Sequence, residues 1–202
     1  MLDSGKAREV REQNDQLMLR VQRGDMDAYQ ELIRRYQRKL YRVISGYHRN
    51  PDDVMEVLQD TFLKVYTARQ TWRRRTSFAA WLYRIAINAS IDRYRRGSKR
   101  RETRLEDVME SEVQNSPAMS RTESPLERLS GQERRRVLED AVRRLPARQR
   151  EVVSLRYFGE MRLDEIASAL DCPLGTVKSN LHKAVNSLKG LLLGQKEALG
   201  HE

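Results

Sequence analysis

Tyr29, Leu32, Ile33, Tyr36, Leu40, Val43, Ile44 and Tyr47 trace a single stripe at helical spacing. A stripe with that period has to be buried against other elements, and no stretch of the chain alternates as a half-buried strand would. The same spacing returns in Val54, Val57, Leu58, Thr61, Phe62 and Val65. It returns again in Val137, Leu138, Ala141, Val142 and Leu145, in Leu163, Ile166, Ala167 and Leu170, and in Val177, Leu181, Ala184 and Leu188. The expected fold class is therefore all-α.

Punctuation residues divide the stripes into helices. Asn14 or Asp15 is placed to cap a helix through "QLMLRVQRG", with Gly24 as its stop and Asp25 as the next cap. This stop-and-start explains "RGD" at 23–25 better than an adhesion motif does. Pro51 stands where helices begin. Ser77 precedes "FAAWLYRIAINASIDRYRRG", which is expected to end at Gly97. Pro146 and Gly159 bound "ARQREVVSLRYF", and a short "DCP" turn leads from "LDEIASAL" into the last helix.

Charge then separates two units. Residues 72–104 carry a net +9 and residues 105–133 a net −5, the latter with Pro117, Pro125 and several serines. Few of those residues can join a core, which reads as a flexible acidic linker. The expected organisation is two small helical domains at 14–100 and 134–192. An extension at 1–13, the linker at 101–133 and a tail at 193–202 complete it.

The chain's net charge of +10 fits a polyanionic partner, nucleic acid first, or else a generally basic surface. A lone Cys172 rules out an internal disulfide framework and fits a reducing compartment, as a small turn residue rather than a redox sensor. No apolar run is long enough to span a bilayer and "MLDSGKAREVREQND" has no hydrophobic signal core. The expected location is the cytoplasm, without direct membrane insertion. There is no Gly-rich phosphate loop, no pair of metal-binding histidines and no nucleophile elbow. His48, His182 and His201 are scattered and Cys172 has no companion ligand. Neither a catalytic set, a metal site nor a cofactor is expected.

Three constellations point to binding instead. From Leu163 to Leu188 a short helix, a tight turn and a longer helix follow one another. Gly175 and Thr176 keep the second helix slim at its start, and Lys178, Ser179, Asn180, His182 and Lys183 lie opposite its apolar stripe. Spacing alone fits either a helix-turn-helix that reads the major groove or a plain hairpin in a bundle. The polar outer face and the chain's charge favour DNA. In "WRRRTSFAAWLYRIAINASIDRYRRGSKRR", Trp72, Phe78, Trp81, Tyr83 and Tyr94 are interleaved with arginines, as in surfaces that stack unpaired bases. About half of these aromatics are equally well explained as core, but Asn88 inside the apolar run is not. In "PDDVMEVLQDTFLKVY", Asp53, Glu56 and Asp60 recur at helical steps beside Gln59. Such a face suits a basic protein partner, although a solvated face is its commoner meaning.

In this order, "LQDTFLKVY", "FAAWLYRIAINASIDRYRR", "LPARQREVVSLRYF" and "LDEIASALDCPLGTVKSNLHKA" resemble a bacterial sigma factor of the extracytoplasmic-function group. The resemblance covers about residues 14–100 and 130–192. It implies a dissociable subunit of RNA polymerase that recognises the −35 and −10 promoter elements and promotes DNA opening. Region two would dock on the clamp helices of the core polymerase's largest subunit through Asp53, Glu56, Gln59, Asp60 and Phe62. It would hold the single-stranded non-template −10 strand with Arg74, Arg75, Thr76, Ser77, Trp81, Tyr83, Arg84, Asn88, Arg93, Arg95 and Arg96. Asn88 matches the position that lines a pocket for a flipped base. Region four would read the −35 duplex with Gly175, Thr176, Lys178, Ser179, Asn180, His182 and Lys183, near the polymerase flap region. An anti-sigma factor is a further implied partner. One departure stands out: Arg74, Arg75 and Thr76 occupy positions where the group usually has an arginine, a glycine and an acid. The alternative of another class is a stand-alone helix-turn-helix regulator, which would bind duplex tightly without polymerase.

Overall fold

The computed structural model describes residues 4–105 and 131–198; most of the linker expected at 101–133, with residues 1–3 and 199–202, lies outside them. Every regular element among the described residues is a helix. The first unit holds α1 (Ser4–Gln22), α2 (Met26–Ser45), α3 (Pro51–Thr67) and α4 (Phe78–Leu105), with a 3-10 turn at Arg69–Thr71. The second holds α5 (Gly131–Arg143), α6 (Ala147–Val153), a π-helical turn at Ser154–Phe158, α7 (Leu163–Leu170) and α8 (Leu174–Ala198).

The expected punctuation is present between α1 and α2. Gly24 ends α1 at φ +93°, a conformation that costs glycine little. Asp25 then accepts the Ala28 N–H at 3.0 Å and starts α2. Asn50 caps α3 by accepting the Asp52 N–H at 3.0 Å, with Pro51 as the first helical residue.

Two boundaries differ from expectation. α1 begins at Ser4, so Asn14 and Asp15 lie inside it and are buried. Asn14 donates to the Tyr36 hydroxyl at 2.9 Å and accepts from Arg35 at 2.9 Å. Asp15 accepts the Phe78 N–H at 2.7 Å and so caps α4, 63 residues away in sequence, rather than its own helix. Burial raises the Asp15 carboxyl above its ordinary range, and the Phe78 N–H and Arg11 act against that rise. Ser77 adds the expected local cap through Ala80 N–H at 3.3 Å. Asp15→Ala leaves the buried Phe78 N–H without its acceptor, a loss of about 1–3 kcal/mol. Urea unfolding should register it, with Asp15→Asn recovering part. The second difference is Gly97, which α4 passes through on its way to Leu105. A helical glycine costs only about 1 kcal/mol relative to alanine, and the flanking Arg and Lys are good helix formers.

The core runs through both units. Tyr36, Leu40, Leu82 and Tyr83 from the first share one apolar cluster with Val152, Leu155, Met161, Ile166, Ala169 and Val177 from the second. Helix α4 packs on α7, and α2 packs on the π-helical turn. Glycines stand where the units approach most closely. A Cβ on Gly46 would lie 3.0 Å from Ser154 Oγ, and one on Gly159 would lie 3.2 Å from the Tyr83 ring. A second, smaller cluster of Val142, Leu145, Val153 and Ala184 belongs to the second unit alone.

Candidate nucleic-acid interface

The second unit presents its last helix as a polar surface. α7 closes at Asp171, which takes the left-handed conformation (φ 51°, ψ 53°) while Cys172 N–H returns to the Ala167 carbonyl at 3.0 Å. Aspartate is one of the few side chains that visit this region routinely. The Pro173 carbonyl then accepts from Thr176 and Val177 N–H, and α8 starts at Leu174. Val177 and Ala184 are fully buried, with Leu181 and Leu188 half-buried beside them. The opposite side leaves Gly175, Thr176, Lys178, Ser179, His182 and Lys183 exposed. Asn180 is half-buried and turns back to the Thr176 carbonyl at 2.9 Å. A Cβ on Gly175 would meet nothing within 4 Å, so internal packing does not require glycine there.

In the first unit the loop before α4 folds on itself. Trp72 is buried, its indole N–H donating to the Thr76 carbonyl at 3.1 Å. Arg74 and Arg75 remain on the surface, where Arg74 pairs with Glu12. Hydrogen bonds from Gln16 and Arg74 hold the Glu12 carboxyl below its ordinary range. Ser77 is buried in its capping role, and Thr76 is half-buried.

On α4, Arg84, Asn88, Ile91 and Arg95 follow at steps of four, three and four and share one face. They line a groove of about 640 Å³ whose other wall includes Ala147, Arg148 and Leu170. Asn88 and Arg95 are exposed within it, and Arg96 is exposed nearby. Arg84 reaches across to the C-terminal end of α7, donating to the Ala169 carbonyl at 3.1 Å and the Ser168 carbonyl at 3.3 Å. A cation over the last carbonyls of a helix satisfies acceptors that the helix leaves open.

Three residues expected on the strand-binding face sit otherwise. Tyr83 is fully buried, with its hydroxyl 3.3 Å from the Gly159 carbonyl. It lies on the stripe of α4 that faces the second unit, so it cannot serve as a stacking platform in this arrangement. Arg93 pairs with Asp53 and Glu56 and ties α4 to α3. Ser77 is enclosed by its capping role. Among the aromatics, Trp72, Phe78 and Tyr83 are core, Trp81 is half-buried, and Tyr94 is exposed.

The third surface is α3. Glu56, Gln59 and Asp60 are exposed, while Asp53 is half-buried beside Arg93. Phe62 is also half-buried, and its carbonyl accepts the Tyr29 hydroxyl at 2.7 Å. Met55 and Leu63 are exposed on the same side, Leu63 at 62%. Reading the sequence for charge missed them, although both fall off the buried stripe of an amphipathic helix. That misplacement was the available signal.

Among the described residues no group of three or more His, Cys, Asp or Glu could hold a metal ion. No described helix is long and apolar enough to cross a membrane.

The Sigma-70 region 2 family model matches residues 32–100, and the Sigma-70, region 4 model matches residues 135–188. The ECF RNA polymerase sigma-E factor of Salmonella typhimurium is 33% identical over 172 residues, which is 84% of this chain and 90% of that protein. The fold is similar to that of CnrH solved with the cytosolic domain of CnrY, at a TM-score of 0.66 and 24% identity over 90% of this chain and 98% of the other. It is also similar to the sigma factor RpoE of Bartonella quintana, solved with the anti-sigma factor NepR. That match has a TM-score of 0.60 and 21% identity, over 81% of this chain and 96% of the other.

Proposed function

Because the chain belongs to the ECF RNA polymerase sigma factors, we propose that three separate surfaces divide its work between polymerase and promoter. The protein is a dissociable sigma factor, a transcription initiation factor. On our reading α3 docks on the clamp helices of core polymerase through Glu56, Gln59 and Asp60, with Met55 and Leu63 as apolar neighbours. Asp53 and Phe62 support that face from behind. The α4 face with Arg84, Asn88, Arg95 and Arg96 takes the non-template −10 strand, with Arg74, Arg75, Thr76 and Trp81 at its edge. α8 reads the −35 duplex through Gly175, Thr176, Lys178, Ser179, His182 and Lys183, with Asn180 released from its own helix, and lies near the flap region. Tyr83, Ser77 and Arg93 leave the set of DNA contacts. The first unit is taken as residues 14–100 with α1 extended back to Ser4, and the second as 134–192.

The observation that carries this reading is the sidedness of these helices. Each buries an apolar stripe and turns to solvent the polar residues that its motif contributes. DNA opening on this reading makes and breaks no covalent bond. It is a population shift, driven by tighter binding to single strand than to duplex. Two weak DNA contacts act as one strong one when polymerase fixes their separation. We further assign the protein to the cytoplasm and expect a protein inhibitor of the anti-sigma class.

The deciding experiment adds purified protein to core RNA polymerase on genomic DNA and sequences the transcripts. Start sites sharing two upstream elements are the expected result; no initiation on any template would sink the reading. A second prediction concerns α8. Replacing Lys178 and Lys183 by alanine should weaken −35 duplex binding by holoenzyme and lower the salt slope by about two, one for each phosphate no longer neutralised. An unchanged slope would mean that neither lysine touches phosphate.

A further inference from the structure

The loop that leads into α4 is short of negative charge. Residues 69–77 read "RQTWRRRTS", four arginines without a carboxylate. Three of the four arginines have partners. Arg69 lies 4.3 Å over the Tyr66 ring and donates to the Tyr66 carbonyl at 2.8 Å. Arg73 folds back on the Gln70 and Trp72 carbonyls. Arg74 pairs with Glu12, a carboxylate brought from 62 residues earlier in the chain. Arg75 is exposed and has no partner among the described residues.

Backbone placement as well as charge brings Arg74 to Glu12. Glu12, Asp15 and Gln22 fall at steps of three and seven and share one face of α1. Asp15 holds the Phe78 N–H where the loop ends. Gln22 donates to the Arg69 and Trp72 carbonyls at 2.7 and 3.1 Å where the loop begins, and Gln70 returns a hydrogen bond to the Gln22 carbonyl at 2.7 Å. Gln16, one turn along α1, donates to Glu12 at 2.9 Å. With both ends of the loop tied to α1, Arg74 meets Glu12 at less of the ordering cost that two free side chains bear.

We propose that Glu12 is a positioning residue that restrains the protein's grip on single strand: it withholds Arg74 from phosphate and leaves Arg75 as the loop's free guanidinium. The proposal rests on the strand-binding reading above and narrows it, since only one of two adjacent arginines then meets the DNA. An untethered arginine gains from any phosphate whatever the base beside it, so it adds affinity that carries no sequence information. Glu12 takes up that charge within the protein. The same pairing gives a role to a part of α1 that precedes both matched family regions.

The test uses the full-length protein assembled with core polymerase. Its probes are two single-stranded oligonucleotides, one carrying the −10 sequence found by transcript sequencing and one with the same bases scrambled. Glu12→Gln removes the charge and keeps the shape, at an exposed position outside the core. It should tighten binding to both oligonucleotides about two- to fivefold, the range of one exposed ion pair, and by the same factor for each, as a phosphate contact does. The slope of log affinity against log salt should steepen by about 0.7, one further phosphate on single strand. Adding Arg74→Gln to Glu12→Gln should reverse both changes. A gain that survives the loss of Arg74 would overturn the proposal, because the carboxylate would then act on the strand directly. An affinity and slope that Glu12→Gln leaves unchanged would overturn it too, as the result for a pair that only fastens α1. So would a gain confined to the −10 sequence, which would make Arg74 a reader of bases. If wild-type holoenzyme does not distinguish the two oligonucleotides, the −10 reading fails instead, and the response of the scrambled strand still decides the part played by Glu12.

Discussion

Tyr83→Ala is expected to destabilise the protein by about 3–5 kcal/mol, the range for removing a large aromatic from a packed core. The Tyr83 ring is wholly enclosed and meets Tyr36 edge-on at a centroid distance of 6.2 Å. Its neighbour across the units is Gly159, whose missing side chain leaves room for the ring. Tyr83→Phe keeps that packing and loses only the 3.3 Å hydrogen bond to the Gly159 carbonyl, about 0.5–1 kcal/mol. Urea midpoints separate the two substitutions directly. Were Tyr83 a DNA contact, alanine would leave the midpoint nearly unchanged and impair promoter opening alone.

Asn88→Ala should show the reverse pattern. Asn88 is exposed on the groove face of α4 and packs into no core. Its loss should move stability by less than about 0.5 kcal/mol, as for other surface changes. Open-complex formation should fall about ten- to hundredfold, because an extruded base left without its hydrogen-bonding partner costs about 1–3 kcal/mol. Core polymerase binding should be unchanged. Permanganate reactivity of unpaired thymines gives the first quantity and a polymerase pull-down the second. Equal losses in both would contradict the strand-binding role proposed for Asn88.

Periodicity made the helices legible. The segment "LDEIASAL" is α7 from end to end, and the stripe from Tyr29 to Ile44 lies on the inward side of α2, with Tyr47 buried just past the helix end. The polar face of α8 was legible for the same reason, since an apolar stripe assigns the opposite side to solvent. Long-range pairings were not. Asp15 has the composition of a local cap, and nothing nearby reveals that its acceptor serves Phe78. Arg93 belongs to a run of arginines that suggests phosphate binding, yet carboxylates on α3 reach it first. Tyr83 and Arg84 are neighbours in an arginine-aromatic segment, and both are claimed by a unit some eighty residues further on. Where two units share a core, the residues at their junction carry the signature of neither.

The capping of α4 by Asp15 also sets an order of events during synthesis. The acceptor leaves the ribosome 63 residues ahead of the N–H it will hold, about 3–13 s at 5–20 residues per second. α1 can pair with α2 in that interval through Asn14 and Tyr36. The nascent α4 then emerges onto a carboxylate already in position. A chain shortened from its amino end past Asp15 would make α4 with no such template, and the defect would appear in the refolding rate as well as in the final stability.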